Sequence, residues 1–203
     1  MINPVTDAIK HRRSIRKFID KPVEKQLIDE IILAGRYAPS AKNDQPWRFI
    51  VITNKEKIAS LSRDVKAQIL SILKKRYILQ LFYKQLRKKE TIGFLYAAAM
   101  APKDMIFYHA PALIFILTKD KQFYDESCAC CAQNMMLAAH TLGLGSCWIG
   151  FANFLNQNKR ILENLHVPDG YHISAALIVG HPKKQPKTAT IRKPMADVIH
   201  WIE

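Results

Sequence analysis

Residues 125–142 are apolar on almost every side of a helical wheel: Cys128, Cys131, Ala132, Met135, Met136, Leu137, Ala138 and Ala139 leave no wide polar stripe. A helix of that pattern has to be covered all round. In a chain of 203 residues this predicts either the central helix of the core or a helix packed against a second subunit. It is flanked by two runs that read as buried strands, residues 112–117 (Ala-Leu-Ile-Phe-Ile-Leu) and residues 173–179, the latter closed by Gly180 and Pro182.

The rest of the chain is punctuated by local signals. Asn3 followed by Pro4 is an N-cap and first-turn pair, and Val5, Ala8 and Ile9 share a face, so a short helix is expected to run to about Arg12. After Pro22, the stripe Leu27, Ile28, Ile31 and Ile32 predicts a core-facing helix that ends before Pro39. Residues 39–46 are dense in turn formers, and residues 47–53 are rich in aromatic and β-branched side chains, predicting loop and then strand. Residues 55–90 hold neither glycine nor proline, so one or more helices are expected there, with a break near Gly93 or Pro102. The length fits one domain spanning 1–203, α+β in class, with a mixed sheet of about four or five strands wrapped by helices.

Charge narrows the partners without choosing among them. There are 31 Lys and Arg against 17 Asp and Glu, a net charge of +14, which favours anions such as phosphates, nucleotides, nucleic acid or an acidic membrane surface. The chain opens Met1-Ile2-Asn3-Pro4 and goes directly into a charged amphipathic stretch, so no secretory leader is expected. The longest strongly apolar run, residues 110–117, is less than half of what a membrane-spanning helix needs. Cys128, Cys130, Cys131 and Cys147 do not have the spacing of a disulfide framework, which predicts a reducing cytoplasm.

Three stretches offer chemistry. In His11-Arg12-Arg13-Ser14-Ile15-Arg16-Lys17-Phe18, two adjacent guanidinium forks and a hydroxyl suit a phosphate monoester, although taken alone the same residues read more readily as a solvated basic helix end. In Pro39-Ser40-x-x-Asn43-x-Gln45-Pro46-Trp47, two prolines stiffen a loop of amide and hydroxyl groups that could address a heteroaromatic edge; Trp47 reads as a core anchor. In Gly143-Leu144-Gly145-Ser146-Cys147-Trp148-Ile149-Gly150, glycine caps the apolar helix and lets main chain approach a ligand closely. Other constellations are weak. Cys128-x-x-Cys131 lies one turn apart in an apolar helix with no second pair, so packing is preferred to a metal or dithiol, and His140 reads as a satisfied core histidine. No G-x-S-x-G, P-loop or G-x-G-x-x-G occurs.

In order and spacing, these three stretches, with Gly180-His181-Pro182 and a basic tail carrying Arg192-Lys193-Pro194, resemble the nitroreductase family. The resemblance covers nearly the whole chain except about residues 55–102, a variable helical segment that in the family often forms part of the substrate pocket. It implies an intertwined homodimer with two FMN sites at the subunit interface. Arg12 and Ser14 would then meet the FMN phosphate, with Arg13 beside them in the cofactor site, and Arg16 the N1 and O2 edge of the flavin. Pro39, Ser40 and Asn43 would reach the FMN of the partner subunit, the backbone from Cys147 through Trp148 and Ile149 to Gly150 would line the ring, and Arg192 would be the last phosphate ligand, with Lys183, Lys184 and Lys187 nearby. No side chain is implied as catalyst and no metal as ligand. The flavin N5 would accept hydride from NADH or NADPH, which leaves before a small acceptor such as a nitroaromatic, a quinone or a flavin enters.

Two other classes compete. Seven basic residues in 74–89, among Tyr77, Phe82 and Tyr83, would suit a nucleic-acid or membrane-binding module. The alternative there is a solvated helix whose aromatics pack on the core or cover the flavin pocket, and neither nucleic acid nor membrane is the expected partner. An FMN-binding protein for storage or regulation, without turnover, would share every motif above.

Overall fold

The computed structural model describes residues 3–79, 84–186, 188 and 192. Phe82, Tyr83, Lys187, Lys193 and Pro194, singled out in the sequence, lie outside the described residues. The chain begins with α1 (Pro4–His11), started by the Asn3 side chain, which accepts from the Val5 and Thr6 amides at 2.9 and 3.2 Å. Next come α2 (Lys25–Arg36), β1 (Arg48–Ile52), α3 (Lys55–Lys74), a single turn α4 (Arg76–Leu79) and α5 (Lys89–Met100). The second half holds β2 (Ala112–Lys119), α6 (Tyr124–Thr141), β3 (Gly145–Trp148), α7 (Lys159–Asn164) and β4 (Tyr171–Gly180), with 3-10 turns at Ala41–Asn43, Lys84–Arg87 and Gly150–Gln157.

The four strands form one sheet in the order β1-β2-β4-β3, every pair antiparallel. The parallel component of the expected mixed sheet is a single bridge among the described residues, between Ser14 and Ser146. Because side chains alternate across a strand, the two central strands feed two cores. Leu113, Phe115, Leu117, Ile173, Ala176 and Ile178 pack with α3, α5 and the Gly150–Gln157 turn. Ala112, Ile114, Ile116, Ala175, Leu177 and Val179 pack with α2 and α6.

Of the two positions expected for a helix break, Pro102 marks one, since α5 ends at Met100, whereas Gly93 lies exposed inside that helix; the helical segment is also interrupted between Lys74 and Lys89. Lys74 and Lys75 favour the carbonyl end of α3 through the helix dipole, a stop signal that glycine and proline alone do not carry. Of the two settings expected for α6, a central helix covered on every side is not what one chain provides. Cys128, Cys131, Ala132, Met135, Met136 and Ala139 face the sheet and α2, whereas Cys130 is exposed and Gln133, Leu137 and Ala138 are half-buried. Small apolar residues all round a helix do not say which face the same chain covers.

In the basic segment, Lys74, Lys75, Lys84, Lys88 and Lys89 are exposed. Tyr77 does not pack on the core: its ring stacks under the Arg76 guanidinium at 4.7 Å, and its hydroxyl accepts from Arg76 at 2.7 Å.

Candidate functional site

The chain leaves α1 at Arg12 in an extended conformation (φ −56°, ψ 133°), and the next residues run beside β3. Ile15 donates its amide to the Ser146 carbonyl at 2.9 Å. Ile15 and Phe18 turn inward and are buried, so Ser14, Arg16 and Lys17 face outward. This small alternation puts the polar groups of the arginine motif on one open side.

Arg12 leaves a buried donor without a partner. Among the described residues its Nε has no hydrogen bond, and its Nη1 reaches only the Met136 sulfur at 3.9 Å. A guanidinium N–H withdrawn from water and left unpaired is costly, and buried donors are almost always satisfied. Arg13 beside it donates from Nη1 to the Thr188 carbonyl at 2.9 Å. Arg12, Arg13 and Ser146 line a narrow crevice of about 10 Å³ that is completed by His11, His140 and Gln185. His140 is therefore not a core histidine satisfied inside the protein. It is half-buried at this crevice, with Nδ1 3.3 Å from the Gln185 side-chain amide. Burial first, then the positive charges of His11 and Arg12, hold its pKa below the usual imidazole value.

Next to it lies a wider cleft of about 280 Å³ lined by Arg16, Phe94, Tyr108, Trp148, Ile149 and Gly150. The Arg16 guanidinium stands 5.8 Å from the Tyr108 ring centroid. Tyr108 is positioned by a turn in which it has φ 56°, organised by the Asp104 carboxylate, which accepts from the Ile106, Phe107 and His109 amides at 2.9, 3.1 and 3.1 Å and from the Ser62 hydroxyl. Burial alone would raise the Asp104 pKa, but these hydrogen bonds outweigh it and the pKa is lowered. On the other wall, just before Trp148, Cys147 is buried, with its sulfur against the Trp148 carbonyl at 3.4 Å and its thiol pKa raised by burial. Ile149 gives its amide to Ala176 at 2.8 Å. Gly150 is exposed, and a Cβ there would meet nothing within 4 Å.

The loop residues lie elsewhere. Ala41 donates its amide to Ser127 Oγ at 3.3 Å, near the start of α6. Ser40 Oγ accepts from the Gln45 amide at 3.1 Å, and Asn43 Oδ1 accepts from Gln45 Nε2 at 3.3 Å. Lys42, Asn43 and Gln45 all have positive φ, and Pro39 and Asn43 are exposed. Arg12 meets the same helix at Met136, nine positions further on, or about 13 Å along its axis. One chain thus brings Arg12, Arg13, Ser14, Arg16 and 148–150 together and leaves Pro39, Ser40 and Asn43 at the other end of α6. Trp47 is buried, as an anchor should be. Arg192 is exposed, and the tail reaches the crevice through Gln185 and the Thr188 carbonyl.

Tyr108, Phe94, His140 and Gln185 were not singled out as site residues from the sequence. No local motif marks them, since each arrives from a different element. Cys128 and Cys131 are buried, with thiol pKa values pushed by burial to about 11 and about 12, and no group of three or more His, Cys, Asp or Glu suited to a metal is found among the described residues. No helix among them is long and apolar enough to cross a membrane.

The family model described as Nitroreductase family matches residues 9–181. Nitrobenzene nitroreductase of Ectopseudomonas oleovorans is 30% identical over 199 residues, covering 87% of this chain and 86% of that protein. A protein of Methanothermobacter thermautotrophicus that carries the name NADH dehydrogenase/NAD(P)H nitroreductase is 30% identical over 201 residues, covering 97% of this chain and 85% of its own length. Among solved structures, a nitroreductase with bound FMN from Bacteroides fragilis covers 100% of both chains at 25% identity with a TM-score of 0.78.

Proposed function

Because this chain belongs to the nitroreductase family and is an FMN-dependent oxidoreductase, we propose that it passes reducing equivalents from NADH or NADPH to a small acceptor of the nitroaromatic, quinone or flavin class. When bound, FMN supplies the ring nitrogen N5 that takes up and returns hydride, one partner after the other. The observation that carries the reading is the buried Arg12 Nε, without a hydrogen bond among the described residues, next to a cleft with one aromatic and one main-chain wall.

Arg12, with Arg13 and Ser14, holds the phosphate, which satisfies the orphaned donor with a charge-assisted bond. Arg16 faces the ring edge and offsets the negative charge that reduction adds. The main chain at Cys147, Trp148, Ile149 and Gly150 forms one wall, close because Gly150 has no side chain. Arg192 adds a cation from the tail. Phe94 on α5 makes residues 55–102 a cover over the cleft within a single domain of 1–203, and their aromatic surface excludes water and selects a flat acceptor. Protein groups thus bind, orient and exclude, and no side chain acts as acid or base.

The site is completed by a second copy of the chain. Pro39, Ser40 and Asn43 lie about 13 Å along α6 from Arg12, which supports a place for them at the other protomer's cofactor. In a homodimer the loop of one protomer lies against the cofactor of the other. The buried, unpaired thiols fit a reducing cytoplasm as the setting.

The test is an absorbance spectrum of the purified, FMN-reconstituted protein, followed by anaerobic addition of NADH or NADPH and then of an acceptor. Bleaching by the nicotinamide and recovery with a nitroaromatic, quinone or flavin is expected. Failure to retain flavin removes the reading, and reduction without turnover on any acceptor would leave a storage protein.

A further inference from the structure

We propose that Tyr124 and Ser127, at the start of α6, are positioning residues for the cofactor site of the opposite protomer: together they pin the 39–45 loop of their own chain in the form that meets the partner's FMN. This rests on that loop serving the second copy's cofactor. The loop is fixed at both ends, with Ala38 buried on the α2 side and Pro46 and Trp47 buried on the β1 side, where Thr118 Oγ1 donates to the Pro46 carbonyl at 3.3 Å. Its tip needs a hold of its own.

Lys42, Asn43 and Gln45 have φ of 53°, 57° and 46°. Asparagine visits this left-handed region readily, but lysine and glutamine gain nothing there to offset the crowding of Cβ. Three such residues in four positions persist only where surrounding contacts over-determine them. The Ser40 and Asn43 side chains accept from Gln45, which closes the turn on itself without attaching it to the body of the protein. Attachment comes from α6, whose Ser127 Oγ accepts from the Ala41 amide at 3.3 Å and whose Tyr124 hydroxyl donates to Asp44 Oδ2 at 3.0 Å. Lys42 and Asn43 lie exposed between these two pins.

The pins are matched in spacing. Tyr124 and Ser127 are three positions apart and so share a face of α6, and their partners Ala41 and Asp44 are three positions apart in the loop. Ser127 is buried, and its hydroxyl proton is committed to the Phe123 carbonyl at 2.7 Å, which leaves the oxygen's lone pairs to the Ala41 amide and fixes their direction. Tyr124 is half-buried, with the Lys121 ammonium 5.6 Å from its ring centroid. The bond to Asp44, more than any other influence, raises the phenol pKa above its ordinary value, so the hydroxyl stays a donor. Arg12 meets the same helix nine positions beyond Ser127, at Met136, so a change at either pin leaves that contact in place. What it alters is the site that the loop reaches.

The experiment measures the FMN dissociation constant of the apo-protein by flavin fluorescence quenching. Tyr124→Phe, Ser127→Ala and Asp44→Ala are each expected to weaken FMN binding about five- to tenfold, Asp44→Asn, which keeps an acceptor oxygen, to restore most of it, and Tyr124→Phe with Asp44→Ala to cost no more than either alone. A chain carrying both Tyr124→Phe and Ser127→Ala is then co-assembled with an Arg12→Ala chain through two different affinity tags. In the mixed dimer one site joins an intact Arg12 to an intact pinned loop, so one FMN per dimer should bind with the parent's affinity, which neither altered homodimer achieves. A merely structural role for the pins would not produce this recovery. Unchanged FMN affinity in Tyr124→Phe and Ser127→Ala, with Asn43→Ala still weakening it, overturns the pins and leaves the loop at the cofactor. Unchanged affinity in Asn43→Ala as well removes the loop from the cofactor and the proposal with it. Weakened binding with no parental site in the mixed dimer means that the pins act within their own chain, which overturns the placement across the interface.

Discussion

A Cβ placed on Gly145 would lie 2.7 Å from the Cβ of Ile15. Main chain and side chain are thus in direct contact where β3 meets the segment that carries Ser14 and Arg16, and the Ile15 amide ties the two at 2.9 Å through the Ser146 carbonyl. Gly145→Ala would push against a β-branched side chain that has little freedom to move. It is expected to cost about 1–3 kcal/mol of stability and to weaken FMN binding by shifting the arginine segment. Thermal unfolding and a flavin titration on the same variant check both, and unchanged values in both would show that the contact positions nothing.

Arg12→Ala removes the donor in the crevice that has no hydrogen bond among the described residues. A charge-assisted phosphate contact is worth about 1.5–3 kcal/mol, or about tenfold to over a hundredfold in affinity. Loss of FMN through dialysis is expected, with little change in the spectrum of whatever flavin remains. Retention as tight as in the parent would move the phosphate elsewhere.

Asp104→Asn tests the turn beneath Tyr108. The carboxylate accepts from Ser62 and three amides, the His109 amide on Oδ2, and asparagine would set an NH2 group against a donor. A cost of about 1–3 kcal/mol at neutral pH is expected. Since the folded pKa is depressed, the ionised group's stabilisation is present above the unfolded value near 3.9 and is lost as pH falls through the folded value. Urea unfolding at pH 7 and below pH 4 should therefore show the parent approaching the variant in acid. A constant gap across pH would mean that the charge contributes nothing.

Cys128 and Cys131, with thiol pKa values of about 11 and about 12, are expected to resist alkylation in the folded protein, while exposed Cys130 reacts. Cys128→Ala and Cys131→Ala should each lose about 1 kcal/mol from packing and keep full flavin content. Mass spectrometry after brief alkylation reads the first, and a bound metal or extra reducing equivalents per flavin would restore a dithiol or metal role.

The proposed dimer needs a substitution on the right face of α6. Ala132 and Ala139 are 0% exposed against the sheet and α2, so an arginine there would damage the chain's own core and say nothing about association. Leu137 is half-buried on the other side. Leu137→Arg should weaken association and release flavin with it, because an unpaired charge in an apolar contact is strongly unfavourable. Sedimentation and flavin absorbance on one sample decide it; a flavin-loaded, active monomer would mean that the site needs no second chain.

The sequence by itself determined what depends on neighbours within a turn or a strand. The Asn3-Pro4 cap, the strands at 112–117 and 173–179, the helix before Tyr37 and the order of the arginine, Pro-Ser-Asn and glycine motifs are all local, because capping, alternation and backbone freedom act over a few residues. Only the tertiary structure decided which face of α6 the chain covers, that Tyr108 stands under Arg16, and that His140 and Gln185 close on Arg12. These residues come from separate elements, held together by the antiparallel register of β2, β4 and β3 and by the turn at Asp104. No periodicity links positions 12, 108, 140 and 185. Their meeting is set by how two apolar cores pack on opposite faces of one sheet, and hydrophobic burial, being non-directional, leaves no mark of its partners in the local pattern.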